Sequence, residues 1–161
     1  KRGFSTLRFN FRGVGRSQGA FDDGPGELSD AASALDWAQT YNPNAQTCWI
    51  AGFSFGAWVA MQLMMRRPEI TGFISIAPPA DSQDFSFLAP CPASGMILHG
   101  DNDEMVPIAS VDRLAQKLKK QKNISIDFRP LKNCDHFFQD HIKEMNQHIE
   151  DYLDKNLVLN T

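Results

Sequence analysis

At 161 residues the chain is long enough to bury one hydrophobic core and short for two, and its 42% hydrophobic content is that of an ordinary water-facing globule. A formal net charge of -3 gives no electrostatic reason to expect a nucleic-acid partner. Three cysteines, an odd count without a C-x-x-C spacing, argue against a disulfide framework and for a reducing compartment, so a cytoplasmic location is expected. No signal peptide, membrane-spanning run, internal repeat or low-complexity segment is visible, and no membrane partner is expected.

Taken in chain order, Thr6 to Phe11 reads as a first strand, followed by a Gly-rich loop. Leu28 to Ala38 repeats Leu28, Ala31, Leu35 and Ala38 at helical spacing. Cys48 to Ala51 is a short continuous apolar run, suited to a buried parallel strand. Ala57 to Met65 is apolar nearly all round, which suits a helix packed behind that strand. Ile70 to Ala77 is another apolar strand, and Pro78 to Pro92 is a loop with at most one helical turn near Phe85 to Leu88. Met96 to His99 is a strand ending in the polar loop Gly100 to Glu104. Pro107 then opens a helix to Lys120, with Ile108, Val111, Leu114, Ala115 and Leu118 on one face. Asn123 to Phe128 alternates like a strand. The last helix places Phe138, Ile142, Met145, Ile149 and Tyr152 together. Strands alternating with helices predict an α/β fold: one domain over residues 1–161, its mostly parallel sheet joined by right-handed crossovers and covered by helices on both faces.

The chemistry concentrates at Gly52-Phe53-Ser54-Phe55-Gly56, a G-x-S-x-G between a strand pattern and a helix pattern. A sharp strand-to-helix turn needs small neighbours where the backbone doubles back, and Gly52 and Gly56 are expected to supply them. That turn lifts Ser54 above the sheet edge beside a helix N-terminus, as in a nucleophile elbow. A serine hydroxyl attacks only when a base takes its proton, so a histidine and a carboxylate must follow. In this architecture the chain order is serine, acid, histidine. Asp103, in the loop at a strand's C-terminal end, is the expected acid. Its rival Asp101 suits a turn beside Gly100. His136 is the expected base. His99 lies before the acid, and His141 and His148 flank an apolar helix stripe as surface or boundary residues.

Three other signals do not survive their context. Gly13-x-Gly15-x-x-x-Gly19 is one residue too long for a dinucleotide loop, and no helix opens after it. Lys117, Lys119, Lys120 and Lys122 complement the negative end of a helix dipole. His136, Asp140 and His141 match no strong metal-ligand spacing, so neither a metal nor any other cofactor is expected.

The chain resembles the α/β-hydrolases, and within them a small lidless group of esterases and peptidase-like enzymes. The matching pieces are Asn10-Phe11-Arg12-Gly13-Val14-Gly15-Arg16-Ser17, Phe21-Asp22-Asp23-Gly24-Pro25-Gly26-Glu27, the elbow, His99-Gly100-Asp101-Asn102-Asp103 with Val106-Pro107, and Asp135-His136-Phe137-Phe138. The resemblance implies Ser54 as nucleophile, Asp103 as acid and His136 as base. The backbone N–H of Phe55 then serves as one oxyanion donor. The implied reaction is hydrolysis of a small-molecule ester or thioester through an acyl-enzyme on Ser54. A peptidase or amidase of the same fold, and a non-catalytic module that keeps the elbow for packing, stay open. The short Pro78–Pro92 loop leaves no room for a lid, so an open, shallow site for modest acyl groups is expected, with Phe85, Phe87 and Leu88 available for one wall. By the same resemblance the domain is expected to be incomplete at its N-terminus. The strand matching Thr6 to Phe11 should be separated from the nucleophile strand by an earlier strand, which also leads into the second oxyanion donor. The expected result is a gap beside the first strand, or two strands closed up directly.

Overall fold

The computed structural model describes residues 3–157. Their elements run α1 (Pro25–Tyr41), β1 (Cys48–Phe53), α2 (Phe55–Met64), β2 (Ile70–Ile76), β3 (Gly95–Gly100), α3 (Ile108–Lys119), β4 (Ile126–Leu131) and α4 (Ile142–Leu157). The four strands form one sheet in the order β1-β2-β3-β4, and every neighbouring pair is parallel. The central β3 is buried at all six positions, as its unbroken apolar run requires when helices cover both faces. On one face α1, α2 and α3 bury Ala31, Val59, Leu63, Val111 and Leu118 against Phe73 and Ile97. On the other, Met145, Ile149, Tyr152 and Leu153 of α4 pack on Ile74, Met96, Leu98 and Leu131.

Each helix has a local cause. Pro25 sits in the first turn of α1, where its missing N–H costs nothing. The buried Glu27 carboxylate accepts the N–H of Gly24 at 2.9 Å and of Asp22 at 2.8 Å, so α1 begins three residues before the first apolar residue of its stripe. In α2 the residues Ala57, Val59, Ala60, Met61, Leu63 and Met64 are all buried, because the helix is enclosed by β1, β2 and α1. Lys117 and Lys119 close the last turn of α3, where cations meet the negative end of the dipole.

Three expectations need correction. Thr6 to Phe11 is not a strand: it lies outside the sheet, with Leu7 and Phe9 exposed. A cleft of about 740 Å³ separates residues 3–9 from β1, and without a pairing partner an extended segment forms no ladder. Lys1 and Arg2 lie outside the described residues. Second, β4 begins at Ile126 rather than Asn123, which takes a left-handed turn at φ 67°, and it extends through Pro130. Proline is tolerated there because β4 is an edge strand of this sheet. Third, Phe138 precedes α4 instead of belonging to it. It has φ 56° and is buried against the α4 face of the sheet, whereas Ile142 is exposed. His141 likewise lies just before the helix.

Candidate active site

The elbow is built by backbone geometry first. Ser54 follows β1 directly and is the N-cap residue of α2, with φ 50° and ψ −122°, a conformation that costs a non-glycine residue roughly 1–3 kcal/mol. Its N–H donates to the Ile76 carbonyl at 2.8 Å and its carbonyl accepts the Ala57 N–H at 2.8 Å, so the strained residue is held from both sides. Gly52 is required by contact: a Cβ there would run into the Gly56 carbonyl and crowd the Cα of Ala57 at 2.7 Å. Gly56 is not required in that way. A Cβ on it would meet only the edge of Phe11, at 4.0 Å, which corrects the expectation that both glycines permit the close approach. Phe55 opens α2, so its N–H is one of the first-turn donors that the helix leaves without a partner.

Asp103 and His136 reach Ser54 from the ends of the two strands beyond β2. The His136 ring lies with Nε2 3.1 Å from Ser54 Oγ and Nδ1 2.6 Å from Asp103 Oδ2. The Asp103 carboxylate is fully buried, and its other oxygen accepts the N–H groups of Met105 and Val106, both at 2.8 Å. A carboxylate with three donors around it is fixed in place and made a good partner for an imidazolium.

Asp101 is nowhere in this chain of contacts. Its carboxylate accepts the Asn133 N–H, its own N–H donates to the Leu131 carbonyl at 2.9 Å, and the next residue, Asn102, donates to the Cys134 carbonyl at 3.1 Å. The acid loop and the histidine loop are thereby laced together. Gly100 makes the lacing possible, because any side chain at that position would collide with the Cys134 carbonyl.

His99 is a feature that sequence order set aside. It is fully buried, its Nε2 donates to the Val106 carbonyl at 2.9 Å, and the same nitrogen stands 3.6 Å from Asp103. Burial holds its pKa below the ordinary histidine value, against the opposing pull of the Val106 carbonyl and Asp103. A neutral His99 therefore braces the backbone that carries the acid. His148 instead accepts from Arg129 on the α4 side, at 3.2 Å.

The remaining surroundings are aromatic. Phe53 and Phe137 stand against the His136 ring, and Phe11, Phe21 and Trp58 gather around Phe55. Phe85 and Leu88, expected as candidates for a wall, are instead buried in the core, and Phe87 packs against it. The only visible signal for Phe53 and Phe137 was adjacency to Ser54 and His136. Among the described residues no group of histidine, cysteine and acidic side chains is arranged to hold a metal, and no helix is long and apolar enough to cross a membrane. The glycines at 13, 15 and 19 lie in turns, and the next helix opens only at Pro25.

Comparison with known proteins adds a family. The profile of the X-Pro dipeptidyl-peptidase (S15) family matches residues 1–154. An uncharacterized protein of Rickettsia prowazekii is 54% identical over an alignment of 155 residues that covers 94% of this chain and 65% of that protein. The chain thus spans just under two thirds of that relative. A protein of unknown function from Agrobacterium tumefaciens, considered an alpha/beta hydrolase, is 60% identical with a TM-score of 0.94, over 97% of this chain and 72% of its own. A lidless serine hydrolase from Xanthomonas campestris is 34% identical with a TM-score of 0.82, over 92% of this chain and 65% of its own.

Proposed function

The chain belongs to the X-Pro dipeptidyl-peptidase (S15) family and has the α/β-hydrolase fold, and from that premise we propose that it is a serine hydrolase of carboxylic esters or thioesters. The observation that carries this reading is the unbroken run Ser54 Oγ, His136 Nε2, His136 Nδ1, Asp103 Oδ2 at 3.1 and 2.6 Å. A base within hydrogen-bond reach of a hydroxyl, itself oriented by a buried carboxylate, is the arrangement acyl transfer needs.

In the first half-reaction Ser54 Oγ bonds to the acyl carbon as its proton passes to His136 Nε2. Asp103 holds the imidazole in the tautomer with Nδ1 protonated and stabilises the imidazolium. The Phe55 N–H meets the charge that develops on the carbonyl oxygen. Collapse expels the alcohol or thiol, which takes the proton from Nε2. In the second half, water activated by His136 releases the acid and restores Ser54.

The family's name favours a second reading, cleavage of an amide bond by the same residues. Parallel assays on an ester and an amide with the same acyl group separate the two. The reading as a whole is tested by Ser54→Ala in the full protein. Ester turnover should fall by about 10⁴ to 10⁶, because triad members act as a unit. Labelling by a fluorophosphonate should vanish with it. Undiminished turnover in the purified variant sinks the proposal.

A further inference from the structure

Two large aromatic side chains beside the candidate base are left in solvent. Phe53, the last residue of β1, is 42% exposed and Phe137 is 55% exposed, whereas His136 between them is only 4% exposed. The ring centroids of Phe53 and Phe137 lie 5.2 and 5.1 Å from that of His136, and 6.2 Å from each other. Neither phenylalanine belongs to either side of the core. Both backbones are fixed by their neighbours: Phe53 by the β1–β2 ladder, and Phe137 by the buried residues His136 and Phe138 on either side. The pair is an apolar surface with one face open to solvent.

Its position gives it a task. When the tetrahedral intermediate collapses, the acyl carbon–oxygen bond breaks and the proton on His136 Nε2 moves to the departing oxygen. That oxygen must therefore come within about 2.6–3.2 Å of Nε2. Whatever is attached to it leaves the reaction centre beside the imidazole, within reach of rings whose centroids are about 5 Å away from it, a separation at which aromatic groups interact favourably. The Phe55 amide, with Phe11, Phe21 and Trp58 around its ring, belongs to a separate aromatic group that does not include Phe53 or Phe137. Resting on the acyl-transfer reading above, we infer that Phe53 and Phe137 form a subsite for the leaving group, and that the protein selects esters of alcohols carrying an aromatic ring one carbon from the oxygen.

Benzyl acetate and ethyl acetate test this in the full protein. They share an acyl group, so deacylation is common to both, and both release a primary alcohol, so leaving-group chemistry is similar. The wild type should show the higher kcat/KM for benzyl acetate. Phe137→Ala and Phe53→Ala should each lower the benzyl-to-ethyl ratio by about tenfold, the scale of one aromatic contact, and Phe137→Tyr should restore it. Benzyl alcohol should also inhibit the wild type competitively, and more weakly each alanine variant. If both substrates fall in the same proportion, the rings only shield His136 and the subsite is wrong. An unmoved ratio in both variants overturns it equally. Fluorophosphonate labelling of Ser54 separates this failure from failure of the underlying reading. A labelled serine with an unmoved ratio removes the subsite alone, and an unlabelled one removes both.

Discussion

Asp101 accepts the backbone N–H of Asn133 through its carboxylate at 2.6 Å, so the loop that carries Asp103 is tied directly to the loop that carries His136. Two acidic residues of one short loop thereby take different tasks. Asp103 holds the imidazole, and Asp101 holds the two loops at the distance that lets it do so.

Replacement should reveal that difference. Asp103→Asn keeps the size of the side chain but invites the wrong imidazole tautomer, and should lower kcat by about 10⁴. Asp101→Ala removes one lace of several and should lower kcat by roughly tenfold or less, with most of its effect on stability through the lost hydrogen bond. Steady-state kinetics on both purified variants check this. Equal losses, or the greater loss at Asp101, overturn the assignment.

The sequence carried the order of elements from α1 onward and the candidate residues Ser54, Asp103 and His136, because these rest on local signals. Apolar runs mark β1, β2 and β3, a helical stripe marks α3, and the elbow glycine marks a strand-to-helix turn. What escaped depends on partners distant in the chain. Thr6 to Phe11 has strand composition, yet a strand exists only where another pairs with it, and here a cleft lies alongside. Phe53, Phe85 and Phe137 look alike as letters. Whether each faces solvent or core depends on the sheet register, on the path of the 77–94 connection and on the turn between β4 and α4. The brace from His99 to Val106 was illegible for a similar reason, since it depends on how the acid loop folds back over β3.

The two elbow glycines should differ in their tolerance of a methyl group. Gly52→Ala forces a Cβ into the backbone of Gly56 and Ala57, which cannot move aside as a side chain can. Overpacking of that kind costs about 1–3 kcal/mol or more, so the denaturant midpoint should drop clearly. Gly56→Ala has open space and, within a helix, gains from alanine's better propensity, so its midpoint should stay level or rise. Matched urea titrations decide the matter, and a Gly52→Ala protein as stable as the wild type contradicts the contact geometry.

His99 should make the fold sensitive to mild acid. Burial lowers its pKa in the folded state, while in the unfolded chain it titrates near the ordinary value of about 6.5. Below that value the unfolded state binds a proton that the folded state refuses, so this contribution to stability is complete above about pH 6.5 and is lost as pH falls below it. The charged or titratable groups that act on it are Asp103, His136 and Asp81, and the carboxylates only partly offset the burial. His99→Gln retains a donor for the Val106 carbonyl but cannot titrate. Urea midpoints measured at pH 7.5 and 5.5 should therefore fall further for the wild type than for His99→Gln. If the two proteins lose stability equally over that interval, His99 is not the group responsible.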